Sequence, residues 1–150
     1  MATQYTEVYD AFLSKIKDYE FGELESDVVE YDLLKLLKGA VVYFKIPENP
    51  YELDDEAKAF SIDFTNEEIQ IVATLMKREW FKRLIANTDV LIQKFGEADF
   101  EFKSQASHLN ALNKAEAEVV DREVKKLLSD YSRIKNGKIF NYGKLAGKSS

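Results

Sequence analysis

Two carboxylate pairs have the spacing that metal-dependent chemistry on a helix requires. Glu20 with Glu23, and Glu52 with Asp55, each lie three residues apart. On a helix this spacing puts both carboxylates on one face, where they can bind Mg²⁺ for the hydrolysis of a nucleotide. A glycine lies inside the first pair and a proline lies beside the second, so neither pair is expected within a helix. An all-α metal-dependent nucleotide hydrolase is therefore kept only as an alternative.

Other catalytic chemistry has few residues to use. His108 is the one histidine, which excludes a multi-histidine metal site, and it falls on a segment with the character of a polar helix. The chain has no cysteine, and its six glycines are scattered rather than grouped in a phosphate-binding motif. Trp80 belongs to an apolar stripe and is interpreted as a core residue. We expect no catalytic residue, no cofactor and no metal, and we interpret the chain as a non-enzyme.

The elements that position these residues are predicted to be helices. Apolar residues at steps of three and four predict one helix from about Tyr5 to Tyr19 and a second from Asp27 to about Phe44. Asp27 and Glu30 have the spacing of a helix cap at the start of the second. Both prolines fall within residues 46–56, which indicates a loop.

A third helix has the clearest start signal. Thr65 and Glu68 form a capping box, and Phe64 and Ile69 stand where a hydrophobic staple would. The helix is expected to reach residue 95, with residues 87–89 as a candidate kink or break. Its apolar stripe consists of Ile69, Val72, Met76, Trp80 and Leu84.

A fourth helix is expected from Ser104 to Tyr131, and Asn136-Gly137 is expected to end the helical region. Short alternating stretches at 98–102 and 138–142 read as extended chain. The apolar stripe of the fourth helix is thinner than that of the third. It is predicted to comprise Leu109, Leu112, Ala115 or Glu116, Val119 or Val120, Val124, Leu127 and Tyr131. The predicted fold is an all-α bundle of about four helices, two of them long, over residues 1–134, followed by an extended C-terminal arm over residues 135–150.

Charge and aromatic content point to assembly. Residues 1–68 carry 17 acidic and 6 basic side chains, whereas residues 69–150 carry 10 acidic and 15 basic ones. Such an asymmetry lets copies of the chain attract one another. Eight tyrosines, ten phenylalanines and one tryptophan are many for a small bundle, so several are expected to face a partner.

Neither a membrane-spanning stretch nor a secretory signal is recognised, which predicts synthesis in the cytoplasm.

The tail combines positive charge with apolar side chains, which are poor choices for a solvated terminus. We interpret it as an arm that docks on a neighbouring protein, with terminal disorder as the alternative. Direct binding to duplex DNA is disfavoured because the chain as a whole is acidic. The candidate docking residues are Lys135, Lys138, Ile139, Phe140, Tyr142, Lys144 and Leu145.

Three segments in this order resemble the head–tail connector (adaptor) proteins of tailed bacteriophages with long non-contractile tails. They are residues 9–19 (YDAFLSKIKDY), residues 64–80 (FTNEEIQIVATLMKREW) and the pieces of residues 87–109 that read NTD, KFGEADF and SQASHL. Together they fall within residues 5–131, most of the chain. None of them is a catalytic signature.

The resemblance implies a structural virion protein at the phage neck. Such proteins form a ring, usually of twelve copies, beneath the portal; DNA passes through the lumen without sequence recognition, and head-closure or tail proteins follow. A C-terminal segment commonly grips the portal, which by analogy assigns that role to residues 135–148. The partners implied are therefore other copies of the chain, the portal, downstream neck proteins and DNA, with no membrane. Another neck role, in head closure or tail completion, is the nearest alternative.

Overall fold

The computed structural model describes residues 2–16, 26–46, 49–95 and 100–148, without the side chains at 26–28, 95, 100 and 135–148. The fold of this part is all-α, as predicted, with one small antiparallel β-hairpin. Its elements are α1 (Tyr5–Leu13), α2 (Ser26–Val41), β1 (Leu53–Asp54), β2 (Ala59–Phe60), α3 (Asn66–Phe95) and α4 (Phe100–Lys148).

Helices α3 and α4 form a long antiparallel hairpin. Three contacts between side chains fix its register: Tyr131 with Glu68, Asp121 with Arg78, and Asn110 with Asp89. From one contact to the next, the residue number rises on α3 by as much as it falls on α4. The two helices therefore stay paired along most of α3. By the same register the first residue of α3, Asn66, lies level with Arg133.

The core lies where α1 and α2 pack against the first half of α3. The predicted inward positions of α2 and α3 are confirmed, as are Tyr5, Val8 and Phe12 on α1. Trp80 is buried against Phe81, as its core assignment required. The largest fully buried side chains include Tyr5, Val8, Phe12, Leu37, Phe44, Phe60, Ile71, Val72, Leu75, Met76, Val120 and Val124. The buried end of the molecule is thus the one that holds α1, α2 and the β-hairpin.

The predicted capping box at the start of α3 is confirmed. The Glu68 carboxylate accepts a hydrogen bond from the Thr65 amide at 2.8 Å, and the Thr65 hydroxyl accepts one from the Glu68 amide at 3.2 Å. Phe64 is buried, and Ile69 packs partly buried against the core. Glu68 also accepts a hydrogen bond from the Tyr131 hydroxyl, so the cap ties the start of α3 to α4.

Two predicted interruptions do not occur. Helix α3 passes through residues 87–89 without a break; there the Thr88 hydroxyl donates to the Leu84 carbonyl at 2.9 Å, and Asp89 accepts a hydrogen bond from Asn110. Helix α4 begins at Phe100 and runs through Asn136-Gly137 to Lys148, so the extended arm and the extended stretches at 100–102 and 138–142 are corrected to helix. A single glycine costs a helix only about 1 kcal/mol, which does not end one of 49 residues.

The segment predicted as a loop, residues 46–56, contains the first strand of the β-hairpin, and the second strand follows it. Leu53 pairs with Phe60 and Asp54 with Ala59, and Asp54 accepts the amides of Glu56 and Ala57 within the turn. Each strand has two residues, too few to show an alternating pattern. Helix α1 ends at Leu13, short of the predicted end near Tyr19. Residues 17–25, which include Tyr19, lie outside the described residues.

The inward face of α4 was also predicted incorrectly in its first half. Leu109, Leu112 and Val119 are each about half exposed, and both alternatives Ala115 and Glu116 are exposed. The buried residues Asn110, Val120 and Val124 lie on a face turned by about 100°, one residue step on a helix. Val120, which was predicted as the alternative to Val119, faces the core together with Val124, Leu127 and Tyr131, as predicted.

Buried tyrosines make the fold sensitive to alkali. Burial raises the pKa of Tyr9 and of Tyr51 to about 12, and burial together with the hydrogen bond to Asp55 raises the pKa of Tyr5 further. Unfolded tyrosine ionises near pH 10, so stability is fully present below about pH 10. Between about pH 10 and pH 12 the ionisation of each of these residues should lower the free energy of unfolding by about 1.4 kcal/mol per pH unit.

The measurement is denaturant unfolding followed by circular dichroism across that pH range. Replacing Tyr9 with phenylalanine should make the fall in stability shallower, because one titrating group is lost. A free energy of unfolding that stayed constant up to pH 12 would contradict the prediction.

Candidate assembly surfaces

The far end of the α3–α4 hairpin extends past the core. We call residues 85–94 and 101–113 the distal arm. On α3 the buried residues end at Phe81, and on α4 Asn110 is the one buried residue before Val120. Among the side chains described for the distal arm, no apolar one is buried. Three apolar side chains are partly buried there: Ile85, Ile92 and Phe102. The arm thus pairs its two helices without a fully buried apolar side chain among those described.

The distal arm instead exposes apolar side chains. Val90 and Leu91 are 47% and 45% exposed, and Leu109 and Leu112 are each 52% exposed. The register places Val90 level with Leu109, so the apolar residues of both helices lie at the same height on the arm. Such a surface is typical of a region that packs on another chain.

A polar pair takes the place of a core in the arm. The Asn110 side-chain amide donates to the Asp89 carboxylate at 2.6 Å, and the buried Asn110 Oδ1 has no hydrogen-bond partner within the described structure. Leaving a buried acceptor unpaired costs about 1–3 kcal/mol. The pair fixes the register of the two helices, but it stabilises the arm less than an apolar core would.

A second surface is the groove between α2 and α3. This α2–α3 groove has a volume of about 370 Å³ and is lined by Lys35, Leu36, Glu79, Lys82 and Arg83. It lies beside two exposed tyrosines that contact its cations: the Lys35 ammonium is 4.4 Å from the centre of the Tyr31 ring, and that of Lys82 is 5.5 Å from the Tyr43 ring. The groove is thus positively charged, and it has an aromatic ring beside each of these two cations.

A third surface is the turn of the β-hairpin. We call residues 52–56 the acidic turn, since four of the five are Glu or Asp and all four are exposed. Hydrogen bonds from Lys38 and Tyr5 hold the pKa of Asp55 below its usual value. Lys58 adopts a φ of 52°, and its carbonyl accepts the Tyr5 amide at 2.8 Å. These bonds to the helices give the turn a fixed shape.

Helix α4 continues past the start of α3. Because Arg133 is level with Asn66, residues 134–148 extend beyond α3 by about 22 Å of helix, at 1.5 Å per residue. This segment contains the predicted docking residues, which therefore follow one another along a helix rather than an extended chain. Their side chains lie outside those that the structure describes.

The residues considered for catalysis are not brought together. Glu52 and Asp55 both lie in the acidic turn rather than on a helix, and Asp55 is bound to Lys38; Glu20 and Glu23 lie outside the described residues. His108 is exposed on the distal arm. Within the described ranges no group of three or more His, Asp or Glu residues is placed to hold a metal ion. Nor does any helix there have the length and apolar character needed to span a bilayer.

Most of the described aromatic side chains are buried, whereas several aromatic residues were expected to face a partner. Of the described ones, Tyr31 and Tyr43 are exposed. Five others stack on one another beneath the β-hairpin: Tyr5, Phe44, Tyr51, Phe60 and Phe64. Among the described side chains, the large apolar residues left exposed are therefore mainly aliphatic. Sequence reasoning missed them on α3, where Val90 and Leu91 continue an otherwise inward pattern.

Comparison of the chain with protein-family models, with curated proteins and with solved structures finds no match in any of the three. The surfaces described above are consequently interpreted from their own geometry and charge.

Proposed function

We propose that this protein is a structural subunit of a homo-oligomeric ring at the neck of a tailed bacteriophage, where it joins the portal to the tail and lets DNA pass through its lumen. The observation that carries the proposal is the distal arm. It presents Val90, Leu91, Leu109 and Leu112 to solvent on two helices that bury no described apolar side chain of their own. Contact with another subunit would bury this exposed apolar surface.

The division of the molecule also supports an assembly role. One end is a packed core of α1, α2, the β-hairpin and half of α3, and the other end is the exposed arm. A ring needs two different surfaces on each subunit, one for each neighbour. The arm and the surfaces around α2 are separate enough to serve different contacts. The resemblance of residues 9–19, 64–80 and 87–109 to connector proteins supports the placement at the neck.

Imaging tests the proposal directly. The purified chain, alone and mixed with a phage portal assembly, should be examined by negative-stain electron microscopy. Closed rings seated on the portal are the expected result. A chain that stays monomeric at high concentration and ignores the portal would refute the ring, and rings that bind tail-completion proteins instead would favour the other neck role.

Removing residues 135–150 provides a further prediction. The truncated chain should keep its core, because α3 pairs with α4 only as far as Arg133, but it should lose binding to the portal. The measurements are thermal unfolding and co-sedimentation with portal, and we expect at least a tenfold weaker association, equivalent to about 1.4 kcal/mol. Replacing residues 149–150 alone by alanine is the control. Full portal binding by the truncated chain would remove the docking role from this segment.

A further inference from the structure

The acidic turn and the α2–α3 groove lie on opposite sides of one helix. The hairpin is held against α2 by two ion pairs of 2.6 Å, from Lys58 to Glu30 and from Lys38 to Asp55. On the other side, Asp32 of α2 pairs with Arg83 of α3 at 3.6 Å. At 100° per residue, the side of α2 that binds the hairpin and the side that lines the groove are separated by about 150°.

The groove faces solvent with positive charge. Its side chains Lys82 and Arg83 are 53% and 35% exposed, whereas their carboxylate partners Glu79 and Asp32 are 23% and 28% exposed. Lys35 is also exposed at its edge. An incoming ligand therefore meets the cations first, and an anionic surface would be attracted to them.

The acidic turn has the complementary character. Glu52 and Glu56 are exposed, and neither carboxylate has an ion-pair partner in the described part of the chain. The turn is also rigid, because Asp54 binds two of its amides and the Lys58 carbonyl is bound to α1. A rigid acidic segment loses little entropy when it binds.

We infer that the acidic turn of one subunit docks in the α2–α3 groove of the next copy of the chain. Complementary surfaces on opposite sides of α2 generate a head-to-tail contact, which can repeat around a ring. A nucleic-acid strand is the less suitable occupant, because the chain as a whole carries a net charge of −6. The inference rests on the proposed function in that it requires copies of the chain to meet.

Charge reversal tests the pairing. Glu52→Lys with Glu56→Lys replaces the two unpaired carboxylates of the turn by cations and removes its net negative charge, so the turn no longer complements the basic groove. Lys35→Glu with Lys82→Glu gives a subunit in which turn and groove are both acidic. Each variant alone should associate with itself about tenfold more weakly than the unaltered chain. Mixing the two variants, or combining all four changes in one chain, should restore association, because the lysines of the altered turn then meet the glutamates of the altered groove.

Cross-linking gives a readout that does not need a complete ring. The chain has no cysteine, so Ala57→Cys beside the turn and Ala86→Cys one turn beyond Lys82 place single thiols near the two surfaces without removing a charge. A short bis-maleimide should join the two cysteine variants in a mixture, about tenfold more than it joins Ala57→Cys to Ala115→Cys, an exposed position elsewhere on α4. The charge changes should reduce this product, and the restoring combination should return it.

Matched controls separate pairing from net charge. Glu118→Lys with Glu123→Lys adds the same charge as the turn variant at exposed positions of α4, and Lys125→Glu with Lys126→Glu matches the groove variant. Equal effects of these controls, or no restoration in the mixture, would overturn the inference. So would a single-stranded oligonucleotide that binds the groove and blocks cross-linking, which would assign the groove to nucleic acid.

Failure of this inference can be distinguished from failure of the proposed function. Rings that form on the portal without the expected cross-link would leave the function standing with a different subunit contact. A specific cross-link in a chain that never binds portal would keep the contact and refute the neck role.

Discussion

Replacing Leu109 and Leu112 together by glutamate is expected to abolish ring assembly while leaving the subunit folded. Each leucine still exposes about half of its side chain, so burial in a subunit contact is worth about 1 kcal/mol apiece. Two glutamates would lose this energy and also bring unpaired carboxylates into an apolar contact. Association should weaken by at least about thirtyfold, equivalent to about 2 kcal/mol. Sedimentation velocity over a range of concentrations measures the change.

The matched control lies on the same turns of the same helix. Ser107→Glu with Ala111→Glu adds two identical charges at exposed positions, on the side of α4 away from the leucines. This variant should assemble like the unaltered chain, and both should unfold at similar temperatures. Normal rings from the leucine variant would show that the distal arm is not a subunit contact.

Replacing Glu68 by alanine should destabilise the isolated subunit by about 3 kcal/mol. The change removes half of the capping box, worth about 1 kcal/mol, and the hydrogen bond from the Tyr131 hydroxyl to a charged acceptor, worth about 1.5–3 kcal/mol. Glu68 is only 5% exposed, so solvent weakens these interactions little. In a domain of this size the melting temperature should fall by about 6–12 °C.

Glu67 offers the control for this prediction. It has the same chemistry in the same first turn of α3, but it is exposed. Glu67→Ala should change the free energy of unfolding by no more than about 0.5 kcal/mol. If the two variants melted at the same temperature, the contact between the cap and α4 would contribute nothing measurable.

Local signals predicted much of the fold. The capping box at Thr65 and Glu68 marked the start of α3 because its donors and acceptors lie three residues apart in sequence. The stripes of α1, α2 and α3 were found because each of these helices buries a single face in the core. Such features depend on neighbouring residues, so a sequence is sufficient to read them.

The errors arose where distant packing decides. Helix α4 carries two apolar stripes, one through Leu109, Leu112 and Val119 and one through Val120 and Val124, and spacing alone does not tell which faces the core. The β-hairpin escaped detection because its turn uses Lys58 at positive φ where glycine is the usual signal. The candidate assembly surfaces were equally hidden, since only the packed molecule shows which apolar residues stay exposed.

Because α4 is continuous, a single helix connects the distal arm, the core and the C-terminal segment. It leaves the tip of the arm, crosses the core at Val120 and Val124, and ends as the segment assigned to the portal, about 74 Å of unbroken helix. A rod of this kind transmits displacement along its axis instead of absorbing it. A displacement of the C-terminal end along the helix axis would therefore reach the arm, so that α4 would couple the proposed portal contact to the proposed subunit contact.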